Sequence, residues 1–237
     1  MSQASVVNAG AEVALQDWQA VAQLIDHTLL RPEATRQQIV ELCQQAVRYR
    51  FATVCVQPCW GALAASLVRG TEVGVDLPIG FPQGAVLTSV KRYEAAEAVK
   101  IGATELDMVI NVGMLKSGEH AYVENDIVAV AEIVHGSGAI IKVILETTLL
   151  GREEKKVACE LAVAAGADFV KTSTGLVGGA TVEDVQLMRS VVGDRCGVKA
   201  SGGIRNAAEL SAMVAAGANR IGTSAGAQIV RSLGAPE

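Results

Sequence analysis

Aromatic side chains are scarce: three Phe, three Tyr and two Trp in 237 residues, although half of the chain is hydrophobic. The core is therefore expected to be Ala, Val, Leu and Ile rather than stacked rings. A chain of this length buries roughly 70 to 75% of its unfolded surface, enough to need no disulfide. The five cysteines (Cys43, Cys55, Cys59, Cys159 and Cys196) are odd in number and set in apolar stretches, as reduced thiols of a cytoplasmic protein would be. Metal-ligand spacing is missing too. Cys55 and Cys59 form a lone C-x3-C, and His27, His120 and His135 are scattered, so no zinc site is expected. Lys and Arg are absent from the first 20 residues, which carry Glu12 and Asp17 and so resemble neither a secretory signal nor a transit peptide. A net charge of -5 argues against nucleic-acid and anionic-membrane partners. The longest uncharged run, Phe51 to Val68, is broken by Gln57, Pro58, Gly61 and Ser66 and reads as strand, turn and helix rather than as a membrane span.

What is present is a recurring alternation of short β-rich runs and helical segments. Eight strands are predicted: Ile25 to Thr28, Thr53 to Gln57, Gly74 to Ile79, Glu105 to Ile110, Ile140 to Leu145, Phe169 to Thr172, Val198 to Ser201 and Arg220 to Thr223. Three Ala-rich helices end in Gly-Ala, at Gly102, Gly166 and Gly217, where a glycine at C′ closes the helix in the left-handed conformation. These glycines are spaced by roughly two βα repeats. The expected architecture is a single-domain α/β protein, a (β/α)8 TIM barrel over residues 21–237, preceded by a partly helical extension over residues 1–20 with a helix from Asp17 toward Leu24. The alternative, an open doubly wound sheet, lacks a G-x-G-x-x-G after the first strand and a linker to a second domain.

Side chains alternate along a strand, so charges in apolar runs can be assigned to a face. In the fourth predicted strand Leu106, Met108 and Ile110 suit the helix layer, which turns Glu105 and Asp107 inward. Lys142 points inward in the fifth, between Ile141 and Val143. Lys171 and Lys199 fall at the C-terminal ends of the sixth and seventh, the end that carries the active site in such barrels. One reading is a buried ion-pair network without chemistry. The other follows from the two lysines being one βα unit apart on adjacent strands. At about 6 Å and an effective dielectric near 20 their repulsion is roughly 2.8 kcal/mol, about 2 pK units, which would leave one amine largely neutral near pH 7 to 8. A neutral lysine beside a second cation is a route to imine chemistry, with Asp107 as the acid/base group.

Lys199 is followed by Ala200-Ser201-Gly202-Gly203-Ile204-Arg205-Asn206, and the eighth strand leads into Gly222-Thr223-Ser224-Ala225-Gly226. Each glycine segment alone is only a turn. Together, after the last two strands, they occupy the recurring phosphate site of these barrels, to which Gly175 can add a donor.

The segments Ile25-Asp26-His27-Thr28-Leu29-Leu30, Glu105-Leu106-Asp107-Met108-Val109-Ile110-Asn111, Val170-Lys171-Thr172-Ser173-Thr174-Gly175 and Val198-Lys199-Ala200-Ser201-Gly202-Gly203-Ile204-Arg205 closely resemble the deoxyribose-phosphate aldolases, in order, from about residue 21 to 232. The resemblance implies a class I lyase that cleaves 2-deoxy-D-ribose 5-phosphate reversibly to acetaldehyde and D-glyceraldehyde 3-phosphate. It implies Lys171 as the Schiff-base lysine, Lys199 as its proton-transfer partner and Asp107 as the acid/base group. Asp26 and Thr28 match positions that reach the sugar hydroxyls, Lys142 and Thr172 are placed at the substrate site, with Lys142 also expected to keep Asp107 ionised, and Gly175, Gly202, Gly203, Gly222 and Ser224 match the phosphate cradle. No metal or organic cofactor is implied, the partners are the sugar phosphate and aldehydes, and a homo-oligomer, a dimer, is expected. Two departures stand out: no Tyr follows Tyr122, so a C-terminal tyrosine shuttle is in doubt, and Leu176 follows Gly175 where some members carry Lys. Rival readings are another Schiff-base aldolase or transaldolase, and a non-catalytic sugar-phosphate binder. Cys55, at the end of an early strand, is read as a core thiol ahead of a pocket thiol.

Overall fold

The computed structural model describes residues 17–237. Eight parallel strands close into one barrel in chain order: β1 (Ile25–Leu29), β2 (Thr53–Val56), β3 (Gly74–Ile79), β4 (Glu105–Val109), β5 (Ile140–Ile144), β6 (Phe169–Lys171), β7 (Gly197–Ser201) and β8 (Arg220–Thr223). Each lies where the apolar, β-branched runs predict it. Closure pairs β8 with β1, Ile25 facing Ile221, and leaves no free sheet edge.

The helices form the outer layer: α1 (Trp18–Ala22) before the barrel, then α2 (Arg36–Tyr49), α3 (Gly61–Val68), α4 (Thr88–Lys100), α5 (Val112–Lys116), α6 (His120–Gly136), α7 (Arg152–Ala164), α8 (Val182–Val192), α9 (Ala207–Ala215) and α10 (Gly226–Ser232). Their ends follow local chemistry. Thr35 and Gln38 build a capping box at the start of α2, and the Asn206 side chain accepts from the Glu209 N-H at the start of α9. The predicted terminators Gly102, Gly166 and Gly217 all have positive φ, between +84° and +112°. The helix expected from Asp17 toward Leu24 is α1, capped by the Asp17 carboxylate; the rest of the predicted extension, residues 1–16, lies outside the described residues.

Between the layers lies an aliphatic core. Leu106, Met108, Ile141, Val143, Val170 and Val198 are fully buried on the outer strand faces, against helix residues such as Val130 and Val134. At roughly 25 cal/mol per Å² of apolar surface removed from water, this layer supplies most of the driving force for the fold. The inner faces of the same strands are thereby left to polar groups. None of the described helices is long and apolar enough to cross a membrane.

Candidate active site

Four carboxylates and four cations converge inside the barrel. Asp26 comes from β1, Asp76 from β3, Glu105 and Asp107 from β4, Lys142 from β5, Lys171 from β6, Lys199 from β7 and Arg220 from β8. Strand register fixes the meeting: Asp107 pairs with Lys142, and Lys171 pairs with Lys199. Asp107 is the hub. Its Oδ1 lies 2.9 Å from Lys142 Nζ, and its Oδ2 lies 2.6 Å from Lys171 Nζ and 2.7 Å from Lys199 Nζ. Lys199 also reaches Asp26 at 2.6 Å and Asp76 at 2.9 Å. Lys142 reaches Glu105 at 2.8 Å and Asp76 at 3.1 Å. Arg220 bridges Asp26 at 2.7 Å and Glu105 at 2.8 Å, and the Thr53 hydroxyl donates to Asp26 at 2.7 Å.

Asp26, Asp107, Lys142, Lys199 and Arg220 hold one another ionised, whereas burial and Asp107 raise the Asp76 carboxyl. Burial alone would raise Asp107, but Lys142, Lys171 and Lys199 outweigh it and hold the carboxyl well below its ordinary range. Asp26 is likewise lowered, since Arg220, Lys199 and Lys142 overcome the effect of burial. Burial would lower Lys199, yet Asp107, Asp26 and Asp76 carry it well above its ordinary value, and Asp107, Asp76 and Glu105 do the same for Lys142. Of the two lysines expected to repel each other, Lys199 is therefore held charged. The two lysines do meet, but the same Asp107 oxygen stands between them, and Lys199 is surrounded by negative charge.

One lysine of the set reaches the outside. A cavity of about 660 Å³ opens at the C-terminal ends of the strands, and Lys171 is on its wall together with Thr28, Thr174, Gly175 and Ser201. Gly202, Gly203, Gly222 and Ser224 line the same cavity, as do Arg31, Arg205 and Leu176. The glycines are required by shape. Gly202 has φ +88°, and a Cβ there would meet the Gly179 Cα at 2.8 Å; a Cβ on Gly222 would meet the Ser201 Cβ at 2.9 Å.

Three predicted substrate contacts lie behind that wall. Asp26, Lys142 and Thr172 are fully buried and do not line the cavity. Asp26 and Lys142 are consumed by the ion pairs. Thr172 follows Lys171, so alternation turns it away from the barrel axis, and its hydroxyl donates to the Ser201 carbonyl and accepts from the Ser201 N-H. Cys55 is also buried and off the cavity wall, and burial with the nearby Asp76 pushes its thiol well up. Cys55, Asp76 and Asp107 bring potential ligand atoms within 4.8 Å of one another, but Lys142 and Lys199 already neutralise both carboxylates. That donor set fits ammonium groups rather than a metal ion. The C-terminal segment is tied elsewhere. The Tyr49 hydroxyl, at the far end of α2, donates to the Pro236 carbonyl at 3.1 Å and accepts from Arg231 at 2.8 Å, so the tail is fastened at the barrel end opposite the cavity.

Sequence reasoning missed two members, Asp76 and Arg220. The signal was available for Asp76: alternation in Gly74-Val75-Asp76-Leu77-Pro78-Ile79 sets Val75, Leu77 and Ile79 outward and Asp76 inward. Arg220 opens its strand and was read as its boundary.

The fold and site define a (β/α)8 barrel enzyme with a lysine-centred site beneath an open, glycine-edged cavity. The chain belongs to the DeoC/LacD family of aldolases, whose family model matches residues 20–233. It is 57% identical over 213 residues to the deoxyribose-phosphate aldolase of Halalkalibacterium halodurans, covering 89% of this chain and 95% of that one. It is also 57% identical over 212 residues to the enzyme of the same name from Thermoanaerobacter sp., covering 89% and 95%. Among solved structures, the tetrameric deoxyribose phosphate aldolase from Aeropyrum pernix superposes with a TM-score of 0.86 at 33% identity, covering 91% of this chain and 92% of that one.

Proposed function

We propose that the protein cleaves 2-deoxy-D-ribose 5-phosphate reversibly to acetaldehyde and D-glyceraldehyde 3-phosphate through a Schiff base on Lys171. The observation that carries this reading is the position of Lys171 on the cavity wall, 2.6 Å from Asp107, with the glycine loops after β7 and β8 lining the same cavity. The Lys171 amine adds to the C1 aldehyde of the open-chain sugar, and loss of water gives an iminium. The C3 hydroxyl gives up its proton, the C2–C3 bond breaks, and its electrons flow into the iminium to form an enamine. Glyceraldehyde 3-phosphate leaves. Protonation of the enamine carbon and hydrolysis then release acetaldehyde and restore the amine. Asp107, kept ionised by its three lysines, and Lys199 relay these protons. Gly175, Gly202, Gly203, Gly222 and Ser224 receive the phosphate, with Thr28 on the sugar side of the cavity.

Borohydride reduction with acetaldehyde and peptide mapping tests the assignment. A stable adduct is expected on Lys171 and is lost in Lys171→Leu; an adduct on Lys199 alone reverses the roles. Release of acetaldehyde from deoxyribose 5-phosphate separates this activity from another Schiff-base aldolase or a transaldolase. Ligand-induced stabilisation without trapping would instead mark a non-catalytic binder. The reading includes a homo-oligomer, supported by the tetrameric relative and by the exposed apolar group Val86, Leu87, Val90 and Tyr93. It also includes a cytoplasmic location, supported by five free cysteines, four of them buried.

A further inference from the structure

We propose that Asp76 is a positioning residue that divides the three lysines of the site into one nucleophile and two held ammonium groups. The proposal rests on the reading of Lys171 given above. Asp76 is fully buried at the middle of β3 and away from the cavity, so it touches no substrate. Its two oxygens face two different lysines, Oδ1 at 3.1 Å from Lys142 and Oδ2 at 2.9 Å from Lys199, and it makes no ion pair with Lys171. Among the described residues, Lys171 has Asp107 as its one carboxylate partner.

The neighbouring strands show why this matters. Asp76 is in register with Cys55 on β2 and Glu105 on β4, and Asp26 from β1, Asp107 from β4, Lys142 from β5 and Lys199 from β7 act on it, while Lys171 from β6 and Arg220 from β8 complete the interior charges. Arg220 already draws on Asp26 and Glu105. Without Asp76, three carboxylates would meet four cations, and all three lysines would compete for Asp107. With Asp76 the charges balance, and Lys142 and Lys199 each have three carboxylate contacts while Lys171 has one. A lysine must lose its proton to condense with an aldehyde. Asp76 holds that proton on the two lysines behind the wall, so the amine that is freed is the one facing the cavity. Burial and Asp107 raise the Asp76 carboxyl, so its support for Lys199 is the first to weaken as the pH falls.

Asp76→Asn tests the assignment in the full-length protein. The basic limb of the kcat/KM profile, where Lys199 gives up its proton, should move down by about one pH unit or more, the scale on which one adjacent charge shifts a lysine. The fall in activity should appear in kcat, with KM for deoxyribose 5-phosphate within about twofold of the parent, and Asp76→Glu should restore much of the limb. A folded Asp76→Asn protein with an unmoved limb, or with its loss in KM alone, overturns the proposal. If that variant does not fold, 13Cε-lysine NMR of the parent protein decides: Lys142 and Lys199 must both stay protonated up to pH 10.5, and loss of either proton near neutrality refutes the division. Borohydride trapping in the parent protein tests the Lys171 reading separately, so an adduct on Lys171 with an unmoved limb would sink this inference alone.

Discussion

Replacing Lys199 with methionine tests the charge balance of the barrel through stability. The substitution keeps much of the side-chain volume but removes an ammonium that contacts Asp26, Asp76 and Asp107. Asp26 retains Arg220 and Thr53, Asp76 retains Lys142, and Asp107 retains Lys142 and Lys171, so the cost is one uncompensated negative charge rather than three stranded groups. Breaking one side of a buried pair costs about 3 to 5 kcal/mol. In a chain of this size that corresponds to a fall in melting temperature of roughly 6 to 20 °C. Adding Asp76→Asn removes the matching negative charge, and the double variant should recover about 1 to 3 kcal/mol relative to the sum of the singles. Urea unfolding of the four proteins at neutral pH measures the cycle. Additivity within about 0.5 kcal/mol would mean that the two groups are not electrostatically coupled, and the balanced-network argument would fall.

Three further outcomes follow from the geometry. Gly222→Ala places a Cβ 2.9 Å from the Ser201 Cβ and 3.3 Å from the Lys199 Cε, and should cost about 1 to 3 kcal/mol in a thermal melt while raising KM for the phosphorylated sugar more than for deoxyribose. Lys142 and Lys199 are raised above their ordinary value of 10.5, so their contribution to stability is fully present below that pH and is lost as pH rises toward their folded-state values. The stability gap between parent and Lys199→Met should therefore hold up to pH 10.5 and narrow only above it, and narrowing that begins near neutrality contradicts the shift. Cys59 is the exposed thiol, whereas Cys43, Cys55, Cys159 and Cys196 are buried, and burial raises all four. Brief iodoacetamide treatment of the folded protein should label Cys59 alone; early labelling of Cys55 would show that the thiol opens to the cavity.

The barrel was legible because its two periodicities are cleanly separated. Outer strand faces such as Leu106 and Met108 are apolar, and helix ends such as Gly102 and Gly166 carry their own terminators. Lys171, Lys199 and Asp107 could be located because a charge inside an apolar strand has one face to occupy. The charge held on Lys199 was not legible, since two lysines on adjacent strands imply repulsion until the acids from β1, β3 and β4 are set around it. Asp76 comes from a strand four removed from Lys199 along the chain order, a closeness that only barrel closure creates. Thr172 and Lys142 were placed at the substrate site, but alternation turns Thr172 away and burial puts Lys142 behind the wall, where it keeps Asp107 ionised as its strand position implied.

The separation between a lysine on the cavity wall and the paired charges behind it divides the protein into two layers that can change independently. Loop residues that edge the cavity, Leu176 and Arg31 among them, can be exchanged to admit other aldehydes or phosphate substitutes without altering the charge count of the barrel. A substitution at Asp26, Asp76, Glu105 or Arg220 has the opposite character, because it needs a compensating partner on another strand. A library aimed at new carbon-carbon bond-forming substrates therefore belongs in the loops after β1, β6, β7 and β8, with the interior left as inherited.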